Sequence, residues 1–182
     1  MRVIAGTARG RRLKEPEGRQ IRPTTDKVKE AVFSAIQFEI EGRRVLDLFA
    51  GTGQLGIEAL SRGARQAVFT DESPAALRIV QENVESCGFS DRAVIRRGDG
   101  VSYLKSGEKF DIIFLDPPYG SGLAEKALET IIQFDILNEN GIIVCESGTG
   151  LNVPESDGFY FKRRQYRYGK ITVDMFSRRA GV

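Results

Sequence analysis

Residues 45–56 read Val45-Leu46-Asp47-Leu48-Phe49-Ala50-Gly51-Thr52-Gly53-Gln54-Leu55-Gly56, a short apolar strand that runs into a glycine-rich turn and then a helix. Gly51 and Gly53 let the turn close tightly and let the backbone approach a ligand. The chain after this unit keeps alternating. Strand patterns are expected near 66–70, 93–96, 110–115 and 141–145. Helices are expected over 54–62, from Pro74 to about Ser86, and over about 122–133, with Gly63 and Gly88 behind the first two as stops. Such alternation means βαβ units and a parallel sheet. It ceases after residue 157, where segments 159–166 and 170–177 flank Tyr168-Gly169 and read as an antiparallel hairpin. Ahead of the first strand, Thr24 or Thr25 caps a helix with Val28, Ala31, Val32, Ala35 and Ile36 at helical spacing, ended by Gly42. The expected fold is α/β: a doubly wound, Rossmann-like, mostly parallel sheet ending in an antiparallel hairpin. Residues 1–24 form a basic N-terminal hairpin and extended arm, and 25–182 the main domain.

With 182 residues, one domain plus a small appendage is expected. The chain has no histidine and only Cys87 and Cys145, which excludes histidine general bases, Ser-His-Asp triads and CxxC-type zinc sites. No metal is expected, and no stretch has the length of a membrane helix. A basic start without an apolar core is no signal peptide, so a cytoplasmic protein is expected. Net charge is only +2, yet residues 1–22 carry +5, residues 162–179 carry +6 and the middle −9. An acidic body with two basic ends suits a polyanion partner.

Three carboxylates fall where successive strands end. Asp47 lies inside the first strand and faces the turn, where it would repel a pyrophosphate but suit the sulfonium and amino group of S-adenosylmethionine. Asp71, followed by Glu72, ends the second strand about 20 residues past the glycines, where a carboxylate accepts from ribose hydroxyls. Asp99 and Gly100 follow the third, placed to meet an adenine amino group. With Phe49, Ala50, Gly51 and Gly53 these make the candidate cofactor set. The fourth strand ends in Asp116-Pro117-Pro118-Tyr119. There the Asp116 carboxylate and Pro117 carbonyl can hold both hydrogens of an exocyclic amino group. That favours a pyramidal nitrogen whose lone pair faces a methyl donor. Tyr119 offers a face on which the base stacks. The plainer alternative is a proline turn over a buried tyrosine.

These segments resemble the class I S-adenosylmethionine-dependent methyltransferases, and more narrowly the RsmD family of bacterial small-subunit (16S) ribosomal RNA guanine-N2 methyltransferases. The family-specific parts are Arg2-Val3-Ile4-Ala5-Gly6 with Arg9-Gly10-Arg11-Arg12-Leu13, and Arg22 to Glu30 beginning Arg22-Pro23-Thr24-Thr25. Leu46 to Ala59, Ser61 to Ala64 and Asp116 to Tyr119 complete a resemblance that spans nearly the whole chain. Two departures stand out: Thr52 and Gln54 flank Gly53 where the family favours smaller residues, and Asp71 replaces the usual glutamate.

The resemblance implies guanine-N2 methylation, with Asp116, Pro117 and Tyr119 at the reacting base. It also implies RNA contact by the basic ends: Arg9, Arg11, Arg12, Arg22 and Thr24 are the candidate substrate residues. Tyr166 and Tyr168 around Arg167 either stack on unpaired bases or pack on the sheet. Ribosomal RNA or the small subunit is the expected partner, and a monomer the expected state. The rival readings are a DNA or RNA adenine-N6 methyltransferase, which Asp-Pro-Pro-Tyr would serve equally, a non-catalytic RNA binder on the same fold, and an NAD-dependent oxidoreductase.

Overall fold

The computed structural model describes residues 1–16, 25–148, 150–151 and 156–180. The chain order is α1 (Thr25–Ala35), β1 (Arg44–Asp47), α2 (Gln54–Ser61), β2 (Gln66–Asp71), α3 (Pro74–Ser86) and β3 (Ala93–Arg97). Then follow α4 (Gly100–Leu104), β4 (Phe110–Leu115), α5 (Leu123–Phe134), β5 (Leu137–Ser147), β6 (Ser156–Asp157), β7 (Tyr160–Tyr168) and β8 (Ile171–Arg178). The strands form one sheet in the order β3-β2-β1-β4-β5-β8-β7-β6. The first five pair in parallel; β8 is antiparallel to β5, and β7 to β8. The expected α/β architecture with its terminal hairpin is therefore what the chain adopts.

The apolar runs of the central strands are buried on both faces, and their period of two divides them. Val45, Phe69, Ile112, Phe114, Ile142 and Val144 pack with α1, α2 and α3. Leu46, Val68, Ile113, Leu115, Ile143 and Cys145 pack with α4 and α5 on the other face. The order of strands reverses between β1 and β4, so the crevice at their carboxyl ends is the natural ligand site of such a sheet.

β6 is not among the expected strands, and α1, α4 and β5 also differ from the expectation. α1 stops at Ala35 rather than continuing to Gly42: Glu39 N donates to Ile36 O (2.8 Å) and the chain turns, while Ile36 and Ile40 stay buried. α4 has no counterpart in the sequence pattern, because five residues are too few to show a helical period. β5 begins at Leu137, not Gly141, and absorbs a register irregularity opposite Phe110 and Ile112.

The N-terminal hairpin is present as one antiparallel bridge, Arg2 to Arg12, with Val3 N donating to Arg11 O (2.9 Å) and Gly10 N to Val3 O (2.9 Å). Residues 1–16 are docked on the body, and the arm expected to follow the hairpin lies outside the described residues. Val3 and Leu13 are buried, and Ala8 N donates to Ser61 Oγ (3.0 Å). The apolar Val3 and Leu13 gain burial only in this docked position. The boundary at residue 24 lies outside the described residues.

Candidate active site

The Gly-rich turn is held by β1, β2 and α2. Ala50 N donates to Thr70 O (2.9 Å), Gly53 N to Ala50 O (2.7 Å), and the Thr70 hydroxyl to Leu48 O. Gly51 has φ +55°, a left-handed conformation, and no atom lies within 4 Å of where its Cβ would stand, so the turn presents bare backbone to open space. The third glycine of the run serves packing instead. A Cβ on Gly56 would lie 2.3 Å from the Phe69 ring, so only glycine lets α2 sit this close to β2.

Asp47 is 2% exposed, and its Oδ2 accepts from Gly56 N (2.9 Å) in the first turn of α2. Burial raises its pKa to about 7; the Gly56 N–H opposes the rise and the charge of Asp71 adds to it. The raised value has a consequence for stability. The unfolded chain releases this proton near the ordinary carboxylate range, the folded chain only near pH 7. The folded state thus holds the extra proton in between, and stability should fall by a few kcal/mol as pH rises from about 4 to about 7. Urea unfolding across that range should show the slope, and Asp47→Asn should flatten it.

Asp71 carries two local donors: Oδ2 accepts from Gly51 N (2.9 Å) and Oδ1 from Ser73 N (2.8 Å). Its neighbour Glu72 is exposed. Asp99 is exposed and caps α4, its Oδ1 accepting from Ser102 N (2.6 Å); hydrogen bonds from Ser102 hold its carboxyl below the ordinary range. Gly100 starts α4 under β1, where a Cβ would meet Leu48 O and the Phe49 ring at 3.2 Å. Thus Asp47, Phe49, Ala50, Gly51, Gly53, Asp71, Glu72, Asp99 and Gly100 all gather at the carboxyl ends of β1, β2 and β3. Each carboxylate has about four acceptor positions, so the local donors leave capacity for ligand hydroxyls and amines. A bare-backbone turn flanked by carboxylates fits a ligand that is cationic at one end and rich in hydroxyls at the other.

The second half of the crevice follows β4. Asp116 is half-buried and Pro117 buried, while Pro118 and Tyr119 are exposed. Ser121 Oγ donates to Pro118 O (2.6 Å) and closes the turn. Tyr119 is 37% exposed and its hydroxyl donates to Glu146 at the end of β5, so this is not a turn over a buried tyrosine. Asp116 and Glu146 line one small cavity of about 20 Å³ with Lys29, Gln54 and the apolar walls of α1, β4 and β8.

Arg9, Arg11 and Arg12 are exposed on the docked N-terminal loop. Arg22 and Thr24 lie outside the described residues. Tyr166 and Tyr168 stack on each other, with centroids 6.4 Å apart, and are half-buried against the core, which favours packing over base stacking. Sequence reasoning missed four residues that shape the site. Asn83, buried between Val80 and Val84 on α3, takes Lys14 N on Oδ1 (2.6 Å) and donates from Nδ2 to Thr52 O (3.0 Å), tying the N-terminal loop to the Gly-rich turn. Glu58 does the same from α2, accepting from Ile4 N (2.8 Å) and Ala5 N (3.0 Å). Both are polar residues at buried helical positions, a signal present in the sequence. Lys29 on α1 is a third such residue, 3% exposed, whereas Glu146 carries no such signal.

A Gly-rich turn after β1, acidic residues closing β2 and β3, and Asp-Pro-Pro-Tyr after β4 define a methyltransferase of the Rossmann-like class. An Escherichia coli structure, yhhF, superposes with a TM-score of 0.89 at 30% identity, covering 100% of this chain and 99% of that one. A Haemophilus influenzae structure superposes with a TM-score of 0.83 at 27% identity, covering 98% of each. The family model described as "Conserved hypothetical protein 95" matches residues 1–177, and the chain belongs to that family, the RsmD family its sequence resembles. Bacillus subtilis YlbH is 40% identical over 183 residues, 98% of this chain and 100% of that one. Ribosomal RNA small subunit methyltransferase D of Escherichia coli is 30% identical over 181 residues, 99% of this chain and 91% of that one.

Proposed function

We infer that this chain methylates the exocyclic N2 of a guanine in small-subunit ribosomal RNA. The observation that carries the reading is the juxtaposition, at one sheet crevice, of the carboxylate-flanked Gly-rich turn after β1 and Asp116-Pro117-Pro118-Tyr119 after β4. S-adenosylmethionine, when bound, supplies an electrophilic methyl group. Asp47 and Asp71 would face its cationic end and ribose, and the bare backbone at Gly51 would lie against it. A cation beside Asp47 favours the ionised carboxylate, offsetting the burial that raises its pKa. The Asp116 carboxylate and Pro117 carbonyl accept the two amine hydrogens and aim the nitrogen lone pair, and Tyr119 stacks on the base. Catalysis on this reading is positioning plus hydrogen bonding to the developing ammonium, whose proton Asp116 is placed to take.

The enzyme would act as a cytoplasmic monomer on ribosomal RNA or the small subunit. Methyl-labelled S-adenosylmethionine should be offered with protein-free small-subunit RNA, assembled small subunits and DNA, and the products digested to nucleosides. Label is expected in N2-methylguanosine from one of the two RNA substrates. Label in N6-methyladenosine, or in DNA alone, would overturn the reading.

The exposed Arg9, Arg11 and Arg12 suit phosphates. Replacing all three with alanine should weaken RNA binding regardless of sequence and lower the log–log salt slope by roughly 0.7–0.9 for each phosphate that is no longer neutralised. Affinity for S-adenosylhomocysteine should hold, because Asn83 and Glu58 grip this loop through its backbone.

A further inference from the structure

We infer that Glu146 is the residue that reads guanine, accepting the base's N1–H beside Asp116. The inference rests on the guanine-N2 reading above and names its specificity determinant. In the β4–β5 pairing Leu115 lies opposite Cys145, so Asp116 and Glu146 are the next positions on adjacent parallel strands. Leu115 and Cys145 belong to the α4–α5 face, and alternation turns the following pair to the other face, where both line the same small cavity. Adjacent strands lie roughly 4.8 Å apart, which sets two carboxylates side by side across the edge of one flat base.

The Watson–Crick edge of guanine presents donors in a row, the N2 amine and then N1–H. If Asp116 and the Pro117 carbonyl hold the amine, the acceptor for N1–H must stand alongside them, and Glu146 does. Adenine presents its N6 amine next to a bare N1 lone pair, which would face the Glu146 carboxylate and be repelled. The Tyr119 hydroxyl donates to Glu146 Oε1, which orients the carboxylate and links the stacking ring to the reading group.

The other polar walls agree with a donor-bearing guest. Gln54 Oε1 is buried in the same cavity with no hydrogen-bond partner among the described residues. The Lys29 ammonium, which lines the same cavity, is turned to the Arg2 carbonyl (2.7 Å) and lies 3.7 Å from Glu58.

The test uses an RNA in which 2-aminopurine replaces the guanine methylated by the wild-type enzyme. 2-Aminopurine keeps the reacting amine but has a lone pair at N1. The wild type should methylate it about a hundredfold more slowly or worse. Glu146→Gln, checked for folding by S-adenosylhomocysteine binding, should lose about tenfold or more on guanine. Its preference for guanine over 2-aminopurine should shrink at least about tenfold, because the amide N–H can donate to the bare N1. The change in preference is a readout that a structural role, or the missing O6 of the analogue, would not move. Equal losses on both RNAs, or an unchanged preference, would overturn the assignment. So would a wild type indifferent to the analogue, a result that needs no variant to fold. If the wild-type methyl maps to any atom other than guanine N2, the underlying reaction is misread, and that is seen before the variant is made.

Discussion

Asp116→Ala should lower methyl transfer by about a thousandfold while leaving affinity for S-adenosylhomocysteine within about twofold. Asp116 follows β4, whereas the groups assigned to the cofactor follow β1, β2 and β3 and hold one another through their own contacts: Gly51 N to Asp71, Gly56 N to Asp47, Ser102 N to Asp99. None of these passes through Asp116. The loss should therefore fall on the step in which the amine nitrogen gains positive character, where the carboxylate matters most. Asp116→Asn keeps one acceptor oxygen but no charge, and should fall between the two. Single-turnover transfer with labelled methyl groups, alongside calorimetry with S-adenosylhomocysteine, separates the two effects. An Asp116→Ala enzyme with near wild-type single-turnover rate would remove Asp116 from the chemistry.

Glu58→Ala should cost about 3–5 kcal/mol of folding stability, because it breaks a buried charge network by removing one member. Glu58 is fully buried in α2. It accepts from Arg62 Nε (2.8 Å) and from the amides of Ile4 and Ala5, and lies 3.7 Å from the ammonium of Lys29, itself 3% exposed. Burial lowers the Lys29 pKa and Glu58 counters this. Without the carboxylate the lysine must lose its proton or leave the interior, and two backbone amides lose their acceptor. The thermal midpoint should drop by about 10 °C or more. Adding Lys29→Met should restore part of that, since it removes the stranded cation. Urea unfolding of the single and double variants measures both, and a single variant within about 1 kcal/mol of wild type would show that Glu58 bears little of the fold.

Much of this architecture is written locally. Val45 to Leu48, Phe110 to Leu115 and Ile142 to Cys145 are apolar runs bounded by turn residues. The glycines and prolines between them punctuate at the right spacing, so strands, helices and their alternation follow from short-range preference. The residues after each strand, Asp47 and the turn to Gly53, Asp71, Asp99 and Asp116 to Tyr119, could be assembled into one crevice because a parallel doubly wound sheet brings its strand ends together. α4 and the early start of β5 escape such a reading because each depends on a single cap or irregularity, too small to leave a period.

By itself, then, the sequence determined the class of fold, the end of the sheet at which the candidate site gathers, and the family, since all three rest on patterns within a few consecutive residues. Only the tertiary structure decided how the basic N-terminal segment relates to the body. Its sequence reads as a basic hairpin and arm; the burial of Val3 and Leu13 and the backbone grip of Glu58 and Asn83 dock residues 1–16 beside the Gly-rich turn. Only the structure set Glu146 beside Asp116, 30 positions earlier in the chain. Contacts of that kind arise from the register between strands and from the packing of separate faces. No local spacing encodes them, because the pairing energy that selects them exists only once the sheet has formed.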